Sequence, residues 1–227
     1  MIAAALLSPA SLWSGWLLYL PALLWALWRA PWLELCSDLR RQHLLFGTAF
    51  ALVLLWLVRR DFDSGLSYHL IGMPAVTLLL DWPLAILAGF AAQLGLLALG
   101  RQELAALGVN GVLLVLVPVL IAEVCALRVE RAQPRNLFVY IFCCGFFPAA
   151  LAALLCVLFG LGVLWVDGLY PMPHWLGDFV GYLWLVVFPE AFTNGMVVTA
   201  LVVFCPDWLE TFNRTRYLSA PWKDDER

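Results

Sequence analysis

Charged side chains are scarce in this chain. Asp, Glu, Lys and Arg make up 13% of its 227 residues, against about a quarter in typical soluble domains. Long hydrophilic stretches are missing as well, and the longest, residues 206–227, is too short to build a core of its own. These absences exclude an ordinary water-soluble globular protein.

Short catalytic and nucleotide-binding motifs are also absent from the sequence. It contains no G-x-x-x-x-G-K-[ST] phosphate loop, no H-E-x-x-H zinc helix and no G-x-S-x-G nucleophile turn. Its 6 cysteines show no C-x-x-C spacing, and we expect them to be inert core residues. We therefore expect no enzyme activity, no covalently bound cofactor and no nucleic-acid partner. Any ATP hydrolysis must come from a partner protein.

Apolar residues make up 64% of the chain and form blocks of roughly membrane-spanning length. Because backbone polar groups in hydrocarbon must be satisfied internally, these blocks are predicted to be helices. The expected fold is an all-α, polytopic membrane helix bundle of about seven transmembrane helices. Residues 1–205 form its single transmembrane domain and residues 206–227 a cytoplasmic tail. The predicted spans are residues 12–28, 44–58, 67–80, 83–99, 104–127, 137–166 and 180–205.

Residues 67–99 are divided between two of these spans. As one helix they would run about 50 Å, well beyond a hydrocarbon core of about 30 Å. The sequence Asp81-Trp82-Pro83 interrupts this segment with a charge and a proline, which favours a break there. Two short spans are therefore predicted in place of one.

Seven spans put the two ends of the chain on opposite sides of the membrane. With the N-terminus outside and the C-terminus cytoplasmic, most Lys and Arg residues are cytoplasmic, and Arg59, Arg60 and Arg101 are the exceptions. A six-span arrangement with the N-terminus inside places almost as many Lys and Arg residues on the cytoplasmic side. The number of positive charges therefore does not choose between the two arrangements, and the excessive length of a single helix over residues 67–99 favours seven spans. We expect a multi-pass protein of a bacterial-type inner membrane.

His69 lies where a polar stretch gives way to an apolar segment, and it is the strongest candidate for a functional site. An imidazole among apolar side chains needs a partner, as a metal ligand, a proton relay or a structural hydrogen-bond donor. Ser67 is suited to bind a ligand or, more simply, to cap the following helix. Asn110 is expected at a similar depth, either at the site or in an interhelical hydrogen bond.

Two further polar residues lie within predicted spans. Gln93 is interpreted as a packing contact between helices. Glu190 follows Pro189, and a carboxylate beside a helix break is a candidate for lining a cavity or a helix contact. An intramembrane enzyme that uses His69 with Glu190 is disfavoured, because the seven-span arrangement places the two residues at different depths.

Several of these pieces form an ordered set along the chain: Leu7-Ser8-Pro9 with Trp13, Gly65-Leu66-Ser67-Tyr68-His69 with Gly72, Gln93, Leu107-Gly108-Val109-Asn110, and Glu190-Ala191 with Thr193. The set resembles the CbiM-type substrate-capture subunits of energy-coupling factor ABC transporters for cobalt and nickel. The resemblance covers most of the chain and is closest from Gly65 to Gly111.

The resemblance implies a capture site made from the free N-terminal amine, a histidine at the second position and the motif histidine. Here the amine belongs to Met1 and the motif histidine is His69, but the second residue is Ile2. Cobalt and nickel favour nitrogen-rich sites, so this departure removes a suitable ligand. The expected metal site comprises Met1, His69 and Asn110, with Ser67, Gln93 and Glu190 in support.

We therefore expect the membrane-embedded substrate-binding component of an energy-coupling factor transporter, with Co²⁺ or Ni²⁺ as the transported substrate. The resemblance implies a transmembrane coupling subunit and cytoplasmic ATPase subunits as partners in the lipid bilayer. The alternative is a non-transport membrane subunit, for assembly or regulation, that kept the scaffold and lost the metal site.

Overall fold

The computed structural model describes residues 1–61, 66–168 and 174–218, and helices dominate it. The helices are α1 (Pro9–Arg29), α2 (Trp32–Ser37), α3 (Leu39–Leu57), α4 (Met73–Leu80), α5 (Trp82–Ala98), α6 (Leu107–Ala132), α7 (Leu137–Val166), α8 (His174–Phe204) and α9 (Arg214–Leu218). Two short strands, β1 (Arg60–Asp61) and β2 (Ser67–Tyr68), pair antiparallel. Helices α6 and α7 contain π-helical segments at Val112–Leu116 and Ile141–Phe146.

The outer surface of the bundle is apolar, as a lipid-facing surface must be. Within the described residues, 4 helical stretches are long and apolar enough to cross a membrane, and α5 is a shorter apolar helix. On α1, Trp13, Leu17 and Trp28 are 71%, 72% and 78% exposed. Large apolar side chains that are exposed on the surface of a long helix are typical of contact with lipid. The predicted helical, multi-pass membrane protein is confirmed.

Helix α4 is shorter than the span predicted at residues 67–80. It has 8 residues, which rise about 12 Å, so the helix by itself is shorter than a hydrocarbon core. Ser67 lies in β2 instead of a helix, and Gly72, with a φ of 72°, directly precedes α4. The prediction that Ser67 caps the helix is therefore wrong, because Ser67 is paired in β2, six residues before α4 begins.

The predicted break between α4 and α5 is confirmed. Asp81 has a φ of 69°, and its side chain accepts a hydrogen bond from the Trp82 N–H (2.8 Å). The left-handed backbone turns the chain, and the carboxylate then satisfies a free amide at the start of α5.

Close packing of α1 against α6 positions the N-terminal end of the chain. A Cβ on Gly15 would lie 2.5 Å from Val109, and one on Gly108 would lie 2.7 Å from the backbone of Trp16. Only glycine fits at such distances, and small residues at helix contacts are typical of membrane bundles. This packing places the residues before α1 next to the start of α6, where Asn110 lies.

Part of the predicted tail packs on the opposite end of the bundle. Phe212 and Tyr217 lie against Tyr140 of α7, with ring centroids 5.0 and 5.4 Å away. Arg216 forms a bidentate ion pair with Glu130 of α6 at 2.8 Å. Residues up to 218 therefore continue the packed structure beyond α8.

Candidate functional site

The first residues of the chain lie alongside the segment that leads to His69. The Met1 amine donates to the Ser67 carbonyl (2.7 Å), and the Ser67 N–H donates to the Met1 carbonyl (2.9 Å). Ile2 forms an antiparallel bridge with Leu66. The chain start thus pairs with the residues around the start of β2 and brings its amine to the region of His69.

Asn110 of α6 binds the backbone of Ile2, the residue that forms this bridge. Its side-chain oxygen accepts from the Ile2 N–H (2.8 Å), and its side-chain nitrogen donates to the Ile2 carbonyl (2.9 Å). The residue is 1% exposed. Both polar groups of the amide are therefore engaged by the backbone of Ile2, which gives Asn110 a positioning contact at the site.

His69 is buried and has one free ring nitrogen. Its Nδ1 lies 2.8 Å from the Leu70 carbonyl, which can only accept, so Nδ1 carries the proton. Its Nε2 has no hydrogen-bond partner in the described part of the chain. Since buried polar atoms are nearly always paired, an orphaned nitrogen with a lone pair indicates a place for a ligand.

The electrostatics of this region favour neutral nitrogen donors. Burial, with a smaller contribution from the Arg59 charge, lowers the pKa of the Met1 amine from 8.0 to about 5. Burial, followed by the nearby amine charge, lowers the pKa of His69 from 6.5 to about 3. Both groups lie outside the helices, and both are unprotonated at neutral pH, the form that binds metal.

Arg59 connects the chain start to neighbouring loops. Its guanidinium donates to the Arg101 carbonyl (2.7 Å), forms an ion pair with Asp61 (2.9 Å) and lies 3.6 Å from the Met1 sulfur. The Ser67 hydroxyl and Arg59 lower the pKa of Asp61. The Met1 side chain is thus directed to Arg59, while its amine is directed to Ser67.

Glu190 and Asn194 of α8 bind the amides at the start of α4. The Glu190 carboxylate accepts from the N–H groups of Ile71 (2.7 Å) and Gly72 (2.8 Å) and from the Asn194 side chain (2.7 Å). Asn194 also accepts from the Ala75 N–H (3.0 Å). A carboxylate at a helix N-terminus satisfies free amides and complements the helix dipole.

The predicted difference in depth between His69 and Glu190 is wrong. Glu190 binds the backbone of Ile71, two residues after His69, because α8 passes beside the segment that precedes α4. No hydrogen bond joins the two side chains within the described residues. Glu190 therefore acts on the loop that carries His69, by fixing its backbone.

Gln93 lies between α5 and α6. Its side-chain nitrogen donates to the Leu107 carbonyl (3.3 Å), and its side-chain oxygen has no partner among the described residues. It is fully buried. This is an interhelical contact, one turn of α6 away from Asn110.

Sequence reasoning missed Trp56 and Asn194. Trp56 of α3 is fully buried, its ring centroid is 5.7 Å from that of His69, and its Nε1 donates to the Ile71 carbonyl (3.0 Å). A tryptophan within an apolar segment does not by itself indicate a functional site. Asn194 follows Glu190 by one helical turn, and that spacing of two polar residues was a usable signal.

Side chains alone do not form a metal cage here. Within the ranges that the structure describes, no group of 3 or more His, Cys, Asp or Glu residues is arranged to hold a metal ion. A cation at this site would need the Met1 amine in addition to the free Nε2 of His69.

Comparison with known proteins identifies the family and a similar fold. The model of the CbiM family, the cobalt uptake substrate-specific transmembrane region, matches residues 2–208. The fold is similar to the crystal structure of a truncated transition metal transporter, with a TM-score of 0.64 and 17% identity over 89% of this chain and 98% of that one. Among individually curated proteins, none matches.

Proposed function

Since the chain belongs to the CbiM family of cobalt uptake substrate-specific transmembrane regions, we propose that it is the substrate-binding component of an energy-coupling factor transporter, with Co²⁺ or Ni²⁺ as its substrate. Family membership and the fold of the transition metal transporter support a role in transport rather than catalysis.

The free Nε2 of His69 is the observation that carries this proposal. It is buried, unprotonated at neutral pH and without a partner in the described structure. Imidazole is a preferred ligand of cobalt and nickel, and a neutral amine nearby adds a second nitrogen donor. The proposed ligands are therefore His69 and the Met1 amine.

The surrounding contacts support capture by a preformed site. Asn110 fixes the backbone of Ile2, and Glu190 fixes the backbone after His69. Contacts of this kind hold ligands in the orientation that a metal requires. Asn110 and Glu190 are thus proposed as positioning residues, and Ser67 pairs the backbone of Met1 with the segment that leads to His69.

Transport would require other proteins. No phosphate-binding motif is present in the sequence, so the proposal assigns ATP hydrolysis to cytoplasmic ATPases that act through a transmembrane coupling subunit. In this arrangement the site faces outward from a bacterial-type inner membrane, and the substrate ion enters from outside.

Metal titration of the purified protein tests the proposal. Calorimetry with Co²⁺ and Ni²⁺ should detect one saturable site, and His69→Ala should weaken binding by at least the roughly 10–100-fold that loss of a second-shell partner costs. His43→Ala is the matched control, because His43 is exposed on α3 and should leave affinity unchanged.

A second measurement tests the amine. N-terminal sequencing of the purified protein should begin at Met1, and a Gly-Ser extension before Met1 should weaken Co²⁺ binding. Absence of binding in the unmodified protein, or binding that His69→Ala leaves intact, would contradict the capture site and favour a non-transport subunit that kept the scaffold.

A further inference from the structure

A groove on the apolar outer surface of the bundle opens between α3 and α8, with α4 as its floor. Its volume is about 750 Å³. Almost all of the lining is apolar and includes Leu44 and Leu55 of α3, Val76 and Leu79 of α4, and Val197 of α8. Val197 is exposed, so the groove is open to the surroundings of the bundle. In a membrane such a recess is filled by hydrocarbon or by another protein.

Small residues on one side of α3 give the groove its depth. Gly47 and Ala51, one turn apart, both line it. A Cβ on Gly47 would meet no atom of the described residues within 4 Å, whereas one on Gly15 or Gly108 would collide with a neighbouring helix. Small residues at this spacing allow a neighbouring chain to approach a membrane helix closely. The groove thus has room beside Gly47 for a chain from outside.

One end of the groove is polar and lies at the start of α3. Arg40 and His43 line it there together with Trp208, and both His43 and Trp208 are exposed. The Arg40 guanidinium donates to the Asp207 carbonyl (3.0 Å) and lies 3.8 Å from the Asp38 carboxylate, in an exposed pair that solvent weakens. Tryptophan is typical of the headgroup level of a bilayer, and basic pockets between membrane helices bind anionic headgroups.

The length of the groove distinguishes the candidate occupants. From Leu44 to Leu55, helix α3 rises about 17 Å. One leaflet of a bilayer contributes about 15 Å of hydrocarbon, whereas a helix that crosses the membrane needs about 30 Å. The groove therefore fits an acyl chain that enters from the polar end better than a transmembrane helix of a partner or of a second copy.

We propose that the groove binds one anionic phospholipid, with its phosphate at Arg40 and His43 and one acyl chain running past Gly47 toward Gly72. The positive guanidinium and the imidazole complement the phosphate, and the apolar walls enclose the chain. This site differs from the proposed metal site and requires no metal.

The inner end of the groove meets the contacts that position α4. Gly72 and Asn194 both line it. Asn194 accepts from the Ala75 N–H (3.0 Å), and the Gly72 N–H donates to the Glu190 carboxylate (2.8 Å). A lipid that reaches this end contacts α3, α4 and α8 together. Since it binds only the folded protein, it should raise the stability of the fold.

Native mass spectrometry of the detergent-purified protein tests the proposal, with phosphatidylglycerol as the anionic probe and phosphatidylcholine as the zwitterionic one. Titration should show one phosphatidylglycerol per chain, bound at least about fivefold more tightly than phosphatidylcholine, because each basic residue at a membrane surface favours an anionic lipid by about this factor. Arg40→Gln should remove about fivefold of that affinity. Arg131→Gln is the matched control, because Arg131 is an exposed arginine of α6 outside the groove.

Gly47→Leu blocks the acyl chain and leaves the headgroup contacts in place. The open space beside Gly47 accepts the larger side chain, and phosphatidylglycerol affinity should fall by about tenfold or more, the effect of displacing two buried CH₂ groups. Gly162→Leu on α7 is the matched control, because a Cβ there also meets no described atom within 4 Å and the residue lies outside the groove. Phosphatidylglycerol should raise the thermal unfolding midpoint of the wild-type and Gly162→Leu proteins, but not that of Gly47→Leu.

Three outcomes would overturn the lipid site. The first is equal affinity of the wild-type protein for the two lipids, and the second is equal phosphatidylglycerol affinity in the wild-type and Gly47→Leu proteins. The third is a dimer of this chain, or a copurifying membrane protein, that Gly47→Leu releases, because a protein would then fill the groove. All of these measurements are made without Co²⁺ or Ni²⁺, so they stand apart from the test of metal capture.

Discussion

Burial selects the protonation state of the two nitrogen donors. A charged amine or imidazolium loses hydration when it is enclosed, so the neutral form is favoured. The Met1 amine has a pKa of about 5 and His69 a pKa of about 3. The lone pairs needed for metal binding are therefore available at neutral pH without prior loss of a proton.

This predicts an unusual pH dependence of metal binding. A protonated nitrogen has no lone pair, so protons compete with the metal only below the pKa. Co²⁺ affinity should be nearly constant from about pH 8 to 6 and fall below about pH 5, by roughly tenfold per pH unit for each proton taken up. Calorimetry across this range measures it.

A decline that begins between pH 8 and 6 would contradict this prediction. It would show that the amine and imidazole keep the ordinary values of 8.0 and 6.5. Size-exclusion chromatography at each pH separates weaker binding from loss of the folded state.

At the scale of elements, helix α4 depends on α8 for its N-terminal end. A helix of 8 residues has little stability of its own. The residue before α4, Gly72, has no side chain to cap it, and the free amides are bound instead by Glu190 and Asn194. The loop that carries His69 is therefore positioned by side chains from the other end of the sequence.

Substitution Asn194→Leu tests this dependence. It leaves the Ala75 N–H unsatisfied and removes a donor from the Glu190 carboxylate, which should destabilise the protein by about 1–3 kcal/mol. The thermal unfolding midpoint in detergent should fall by several degrees, and Co²⁺ affinity should fall with it.

Met196→Leu on the same helix is the control, because Met196 is 51% exposed and makes no such contact. Its unfolding midpoint should match that of the wild-type protein. Equal midpoints for Asn194→Leu and Met196→Leu would refute the dependence of α4 on α8.

At the scale of the molecule, the exposed apolar surface and the long helices define a membrane protein, and its orientation is a further prediction. With the N-terminus outside, the loop at Glu103 faces outward and the end of α6 at Arg131 faces the cytoplasm. Both residues are exposed.

Cysteine labelling distinguishes the two orientations. In a background without other cysteines, Glu103→Cys should react with a membrane-impermeant maleimide in intact cells, and Arg131→Cys should react only after the membrane is opened. The reverse result would indicate an N-terminus inside, as in the six-span arrangement.

Local features of the chain were predictable because they depend on neighbouring residues. The membrane class, the helices and the break at Asp81 follow from composition and from proline and charge within a few positions. The ordered motifs also singled out His69, Asn110 and Glu190. Strand pairing of Ser67 with a separate segment was not visible locally, so the start of α4 was predicted six residues too early.

Hydrophobic run length and backbone hydrogen bonding are local properties, so the sequence was sufficient to predict an apolar helix bundle, and its ordered motifs were sufficient to indicate a resemblance to the CbiM family. The assembly of the site depends on tertiary contacts. The Ile2–Asn110 and Ile71–Glu190 hydrogen bonds join residues 108 and 119 positions apart. Contacts at such separations arise from helix packing.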